Sequence, residues 1–205
     1  MKKAGAKRRA LLIRLVPPGR SVIDVGADHG HVAQQLGAVA TERLPTRAGK
    51  TPVQWVIADG LAPFRHVDVA IIAGMGAHTI MGILGRGPRP SVAVLHAQDD
   101  PPALRIWLAA NGWRIDAEGL APEARRFAEV IRVVPGTEAA TGLELEFGPR
   151  LLEGGDPHLA MHLQGTCQRW SDIARATSGR APDKHLYAAT RVSFLNDAMK
   201  QLSAG

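Results

Sequence analysis

Two carboxylates, Asp24 and Asp28, bracket a glycine in the stretch Ser21-Val22-Ile23-Asp24-Val25-Gly26-Ala27-Asp28-His29-Gly30-His31. Val22, Ile23 and Val25 read as a buried parallel strand, where a continuous apolar run replaces alternation. Asp24 then lies near the C-terminal end of that strand, the edge at which open α/β sheets bind ligands. Gly26 permits a tight turn and close backbone approach. Asp28 is expected to cap a helix that begins at His31. A strand, a glycine turn and a helix in this order make a candidate nucleotide-cofactor site.

Charge narrows the ligand. A dinucleotide needs Gly-x-Gly-x-x-Gly, because its pyrophosphate lies against bare backbone at a helix N-terminus. Asp28 stands at the second glycine's place and would set a negative charge against the phosphates, which disfavours a dehydrogenase. Two carboxylates suit a ligand that carries an ammonium and a sulfonium, and S-adenosylmethionine is such a ligand. From this stretch alone, the reading in which Asp24 only ends a strand and Asp28 only caps a helix weighs equally.

Further strand ends carry similar chemistry. Ala38–Glu42 reads as a strand ending in a carboxylate that can accept hydrogen bonds from both hydroxyls of a ribose. Val53–Ala58 reads as a third strand leading into Asp59-Gly60-Leu61, where a carboxylate and a backbone amide could read an adenine edge. Asp-Gly is also an ordinary turn pair. Val67–Ala73 runs into Gly74-Met75-Gly76, two glycines that leave room for a ligand or simply make a tight turn.

These elements need a frame, and the chain supplies one. A basic helix over about Lys3–Val16, with Leu11, Leu12, Leu15 and Val16 inward, stops at Pro17-Pro18-Gly19. Residues 43–52 are broken by Pro45, Gly49 and Pro52 and look too short for the usual crossover helix. After a helix over Thr79–Leu84 and a strand over Val92–Leu95, Asp100 caps a helix with Pro101 at its first position. Asn111-Gly112 closes that helix. Trp113–Glu118 and Phe127–Val134 complete an alternating α/β sheet. The tail reads as a helical hairpin, broken at Ser178–Pro182. Its seam holds Leu159, Leu163, Cys167, Trp170 and Ile173, then Leu186, Ala189, Val192, Leu195, Met199 and Leu202. Arg169, Arg175, Lys184, Arg191 and Lys200 are expected on its outside. The expected division is 1–153 for the sheet domain and 154–205 for the hairpin.

The 205 residues suit one ordinary domain with an appendage, and 45% hydrophobic residues supply a core. Cys167 is the one cysteine, which excludes an internal disulfide and cannot alone make a metal site. No apolar run reaches the roughly 20 residues that cross a bilayer, and no secretory signal is recognisable, so a cytoplasmic protein is expected. The net charge of +6 is concentrated at the start, where Lys2, Lys3, Lys7, Arg8, Arg9, Arg14 and Arg20 precede the first acidic residue. Such a block is the electrostatic footprint of a nucleic-acid partner, or else a solvated helix face.

Taken together, the basic leading helix, Asp24-Val25-Gly26-Ala27-Asp28-His29, Glu42, Asp59-Gly60-Leu61 and Ile72-Ala73-Gly74-Met75-Gly76 resemble the bacterial tRNA adenine-N1 methyltransferases that modify adenine 22. Leu104-Arg105, Trp107, Asn111-Gly112-Trp113 and Phe147-Gly148-Pro149-Arg150-Leu151-Leu152 are similar too. The resemblance implies a Rossmann-like methyltransferase domain with a C-terminal helical hairpin, S-adenosylmethionine as cofactor, tRNA as partner and no metal. It implies cofactor contacts at Asp24, Gly26, Ala27, Asp28, Glu42, Asp59, Gly60, Leu61, Ala73, Gly74, Met75 and Gly76. Asp28 and His29 would be the catalytic pair, and Lys7, Arg8, Arg9 and Arg14 the RNA contacts.

Three departures stand against the family pattern. Leu95-His96-Ala97-Gln98 replaces Leu-Gln-Pro-Asn, and Ala128-Glu129-Val130 replaces Tyr-Glu-Ile, which removes an aromatic that could stack on the base. The crossover after Glu42 is short. They support a second reading, a catalytically impaired relative that binds RNA or a partner protein. A third, a methyltransferase for a small molecule or protein, would make the basic helix incidental.

Overall fold

The computed structural model describes residues 5–49, 51–124 and 126–204. The chain divides into two compact units, Met1–Gly154 and Gly155–Gly205. The first is built on a seven-stranded sheet in the order β3-β2-β1-β4-β5-β7-β6. Its strands are β1 (Val22–Val25), β2 (Val39–Glu42), β3 (Trp55–Ile57), β4 (Val69–Met75), β5 (Val92–Ala97), β6 (Trp113–Pro122) and β7 (Phe127–Pro135). The first five pair in parallel, and β7 runs antiparallel to both β5 and β6. The turn between β6 and β7 therefore lies at the edge where the parallel strands end.

Strand alternation sends side chains into two apolar layers. Ile23, Val25, Ile72 and Leu95 pack with Ile80, Ile83, Leu104 and Leu108 from α3 (Ala77–Arg86) and α4 (Pro101–Ala110). On the other face Val22, Val69, Ile71 and Val94 pack with Leu11, Leu12, Val32 and Ala33 from α1 (Ala6–Arg14) and α2 (His31–Leu36). Gly119 lets α1 approach β6, since a Cβ there would lie 2.9 Å from Leu11 Cδ1. Lys2 and Lys3 fall outside the described residues.

Several boundaries differ from expectation for local reasons. β4 runs on to Met75 because Gly74, at φ 76°, forms a bulge between the pairs Ala73–His96 and Met75–Ala97. The expected start of α3 at Thr79 moves back to Ala77. The segment 43–52 does lack a crossover helix among its described residues and holds a single turn, Pro45–Arg47. Two short helices, α5 (Leu143–Phe147) and α6 (Pro149–Gly154), were not expected, since five or six residues are too few to show a helical period.

Ala128, which stands where the family pattern has Tyr, is 1% exposed in the layer that α1 covers.

A buried ionic knot closes this unit. Arg105, wholly buried, donates Nε to Glu118 Oε1 and a terminal nitrogen to Glu129 Oε2, each at 2.7 Å. Glu118 Oε2 accepts the Arg150 N–H at 2.9 Å at the start of α6. Gly148 passes over the knot at φ 97°, where a Cβ would sit 2.8 Å from Glu118 Oε2.

The second unit is a hairpin of α7 (Leu159–Thr177) and α8 (Pro182–Ala204). Leu159, Leu163 and Cys167 on α7 and Ala188, Leu195 and Ala198 on α8 are buried. Leu186 is corrected to the outside, being 67% exposed. It stands two residues, about 200° of helical turn, from Ala188. Ile173 is also exposed. Arg191 does not project freely, because its guanidinium lies 5.4 Å from the Trp170 ring and 5.9 Å from that of Tyr187. Leu202 has no described side-chain placement.

Candidate functional site

The strand ends expected to bind a ligand come together along one edge of the sheet. Asp24 is buried in β1, and its Oδ2 accepts the Ala33 N–H at 3.2 Å. Ala33 is the third residue of α2, so Asp24 satisfies the helix start that Asp28 was expected to cap. The residue before α2 is Gly30, with no side-chain cap. Asp28 is instead held in the left-handed region at φ 51°, between Gly26 at 66° and Gly30 at 68°. A non-glycine residue there is costly to hold, and such strain gathers at functional sites.

The loop is fixed from several sides. The Thr41 carbonyl accepts the N–H groups of Gly26 at 2.9 Å and Ala27 at 3.1 Å, while Glu42 Oε1 accepts that of Asp28 at 2.8 Å. A Cβ on Gly26 would collide with the Met75 methyl group, and one on Gly30 with Thr51 Oγ1 and the Trp55 ring. The short β2–β3 connection is thus packed onto the last glycine of the loop. The exposed side chains of Asp28 and His29 meet at 3.4 Å.

Burial raises the Asp24 carboxyl to a pKa of about 6, against the Ala33 hydrogen bond, which lowers it; nearby Glu42 raises it further. A carboxylate this buried with one N–H donor fits a cationic group. The ammonium of S-adenosylmethionine is of that kind, and the bare backbone at Gly74 leaves room nearby, while Met75 packs against Gly26.

The remaining expected positions follow along the edge. Glu42 is buried at the end of β2 and pairs in register with Ile57. Asp59 is exposed, a Cβ on Gly60 would lie 3.1 Å from Ile83 Cγ2, and Leu61 is core. Ala73, Gly74, Met75 and Gly76 are half-buried at the end of β4.

Sequence reasoning missed three contributors, Leu44, Ile57 and Asp99, and named a fourth, His96, only as a departure from the family pattern. Leu44 and Ile57 are 45% and 51% exposed near Glu42, an apolar pair suited to a purine face, and the signal was their place next to strand-end residues. Asp99 Oδ1 accepts the Ala77 N–H at 2.7 Å and fixes the start of α3 beside Gly76. His96 is buried at the end of β5, its Nδ1 2.9 Å from the Glu129 carbonyl, and burial foremost holds its pKa below the usual histidine value.

Of the basic residues of α1, Lys7 and Arg14 are exposed and Arg9 is half-buried. Arg8 is turned inward and paired with Glu123 Oε1 at 2.8 Å.

No described helix is long and apolar enough to cross a membrane. A family model for TrmK, tRNA (adenine(22)-N(1))-methyltransferase, matches residues 30–202. No match was found among curated proteins. Streptococcus pneumoniae Sp1610 superposes with a TM-score of 0.83 at 25% identity, over 95% of this chain and 99% of that one. Its complex with S-adenosyl-L-methionine matches at 0.75 and 26% identity, over 95% and 99%. TrmK of M. capricolum, in complex with S-adenosyl-homocysteine, shares the fold at 0.78 and 17% identity, over 94% and 96%. With the family model spanning most of its length, the chain belongs to the TrmK family of tRNA (adenine(22)-N(1))-methyltransferases, a Rossmann-like group dependent on S-adenosylmethionine.

Proposed function

We propose that the strand-end edge of the first unit aligns S-adenosylmethionine with N1 of an adenine in tRNA, and that the expected residues divide the work. Asp24, Gly26, Ala27 and Asp28 take the methionine end and Glu42 the ribose. Asp59, Gly60 and Leu61 flank the adenine ring. Ala73, Gly74, Met75 and Gly76 form the passage to the target base. The observation that carries this reading is the buried Asp24 carboxylate beside a glycine cradle, which a bound ammonium would complete.

The cofactor, when bound, supplies an electrophilic methyl group on a cationic sulfur. Adenine N1 has its own lone pair, so the protein's task is alignment more than deprotonation. Gly74 and Gly76 admit the base closely. Asp28 and His29, in contact at 3.4 Å, orient its edge and accept the proton that the methylated ring gives up. The base reaches this edge by leaving its stack, at a cost of a few kcal/mol.

Asp28→Ala tests the assignment. Methyl transfer to tRNA should fall at least about ten-fold, the loss expected when a charged hydrogen-bonding group is removed. Transfer at the parent rate, measured with a tritiated methyl group, would remove Asp28 from the site.

Lys7, Arg9 and Arg14 are proposed as phosphate contacts for tRNA, with the cytoplasm as the proposed compartment. Arg8 belongs to the same helix but is held by Glu123. Replacing Lys7, Arg9 and Arg14 with alanine should weaken tRNA binding and flatten its salt dependence by about 0.7–0.9 in log–log slope per lost contact. An unchanged slope in a filter-binding titration would exclude α1 as the RNA surface.

A further inference from the structure

Arg8 faces inward because two separate elements meet its guanidinium. Its guanidinium nitrogen lies 2.8 Å from Glu123 Oε1 in the β6–β7 turn and 3.5 Å from His96 Nε2 at the end of β5. With Nδ1–H of His96 donating to the Glu129 carbonyl, Nε2 carries the lone pair that faces Arg8. The second oxygen of Glu123 lies 3.8 Å from Arg126 Nε, and the turn is closed by the Glu123 N–H donating to the Arg126 carbonyl at 2.8 Å.

Arg126 in turn donates to the Gln98 carbonyl at 3.0 Å. The N–H of that same Gln98 donates to the Met75 carbonyl at 2.8 Å. Gln98 Nε2 stands 3.6 Å from where a Cβ of Gly74 would be. Residue 98 is therefore held from both sides, by the β6–β7 turn and by the end of β4. An unbroken series of contacts leads from the basic helix to the passage assigned to the target base.

We propose that Glu123 is a positioning residue for methyl transfer, acting through Arg126 on the Gln98 wall of the base passage and through Arg8 on the RNA-facing helix. The proposal rests on the placement of the target base at Gly74–Gly76. Glu123 is only 15% exposed, so its pairings are less screened than those of a surface carboxylate. By this arrangement, tRNA lying along α1 and the wall against its target adenine share one anchor. Arg8 serves as an internal strut, and phosphate binding falls to its neighbours on the helix.

The test is Glu123→Gln in the full chain, assayed with tRNA and S-adenosylmethionine. A merely electrostatic role, in which Glu123 repels RNA, predicts tighter tRNA binding, a lower KM and an undiminished kcat. The positioning role predicts the opposite split. kcat should fall on the order of 10- to 100-fold, as small misplacements do, while KM for tRNA and the calorimetric affinity for S-adenosylmethionine stay within about two-fold. Glu123→Asp, which keeps the carboxylate between Arg8 and Arg126, should retain most of the kcat that Glu123→Gln loses. Full kcat in Glu123→Gln, or a loss in Glu123→Asp as large as in Glu123→Gln, overturns the proposal. Asp28→Ala, assayed in parallel, separates the two levels. Normal transfer by Asp28→Ala condemns the site placement, whereas normal transfer by Glu123→Gln alone condemns only the positioning role.

Discussion

Replacing Asp24 with asparagine should give a protein that is more stable at neutral pH yet binds its cofactor far more weakly. The asparagine carbonyl can still accept the Ala33 N–H, so the helix start keeps its partner. What changes is charge. The folded-state pKa of about 6 lies above the ordinary 3.8, so between these values the folded protein holds the proton more tightly than the unfolded chain. Stability is therefore full below about pH 4 and declines as pH rises to about 6, beyond which the carboxylate costs about 3 kcal/mol. Asp24→Asn should regain up to that amount at pH 7.5, read from denaturant midpoints, and none of it at pH 4.

Affinity for S-adenosylmethionine should move the other way. Leaving a buried ammonium without its carboxylate costs about 2–5 kcal/mol in comparable pairs, which is a 30-fold loss or more. The parent's affinity should also climb roughly ten-fold per pH unit up to about pH 6 and then level off, while the variant's should be flat. Equal midpoints at pH 7.5 would refute the burial cost, and undiminished affinity would place the ammonium elsewhere.

Arg105 carries the largest expected effect on folding. Its guanidinium has no exposure, and burial alone would lower its pKa, but Glu118 and Glu129 outweigh that and hold it above the ordinary arginine value. Arg105→Leu would leave two carboxylates in the core with their other partners intact, and breaking such a pair costs about 3–5 kcal/mol. Lysine does not rescue the site, because an ammonium cannot span two carboxylates as the planar fork does. Replacing all three charged residues by apolar ones of similar volume should recover much of the loss. If Arg105→Leu unfolds at the parent's urea midpoint, the knot is not a determinant of stability.

The knot also marks the limit of what sequence discloses. Arg105 finds its partners 13 and 24 positions away, and neither periodicity nor composition records such pairings. The first strand, the glycine loop and the strand-end residues Glu42, Gly74 and Gly76 were legible because each is a local event with a local signature. Asp28 was misassigned as a cap for the complementary reason. The residue that performs the task, Asp24, sits nine positions before Ala33 and reaches it only once strand and helix have folded back. The bulge at Gly74 shows up only against its neighbour, since a register shift is a property of two strands. Leu186 misled because α8 has apolar residues on more than one side, so the period did not single out the packed face.

The short connection between β2 and β3 has a kinetic consequence. It leaves β3, three residues long, as the outermost strand of the sheet. Few contacts hold such a rim, so it opens at a lower free energy than the centre. The proposed nucleoside position lies against that rim at Ile57. Amide hydrogens of β3 should exchange first among the parallel strands, and saturating cofactor should slow them selectively. Cofactor release would then be timed by the fraying of one short strand while the rest of the sheet stays closed.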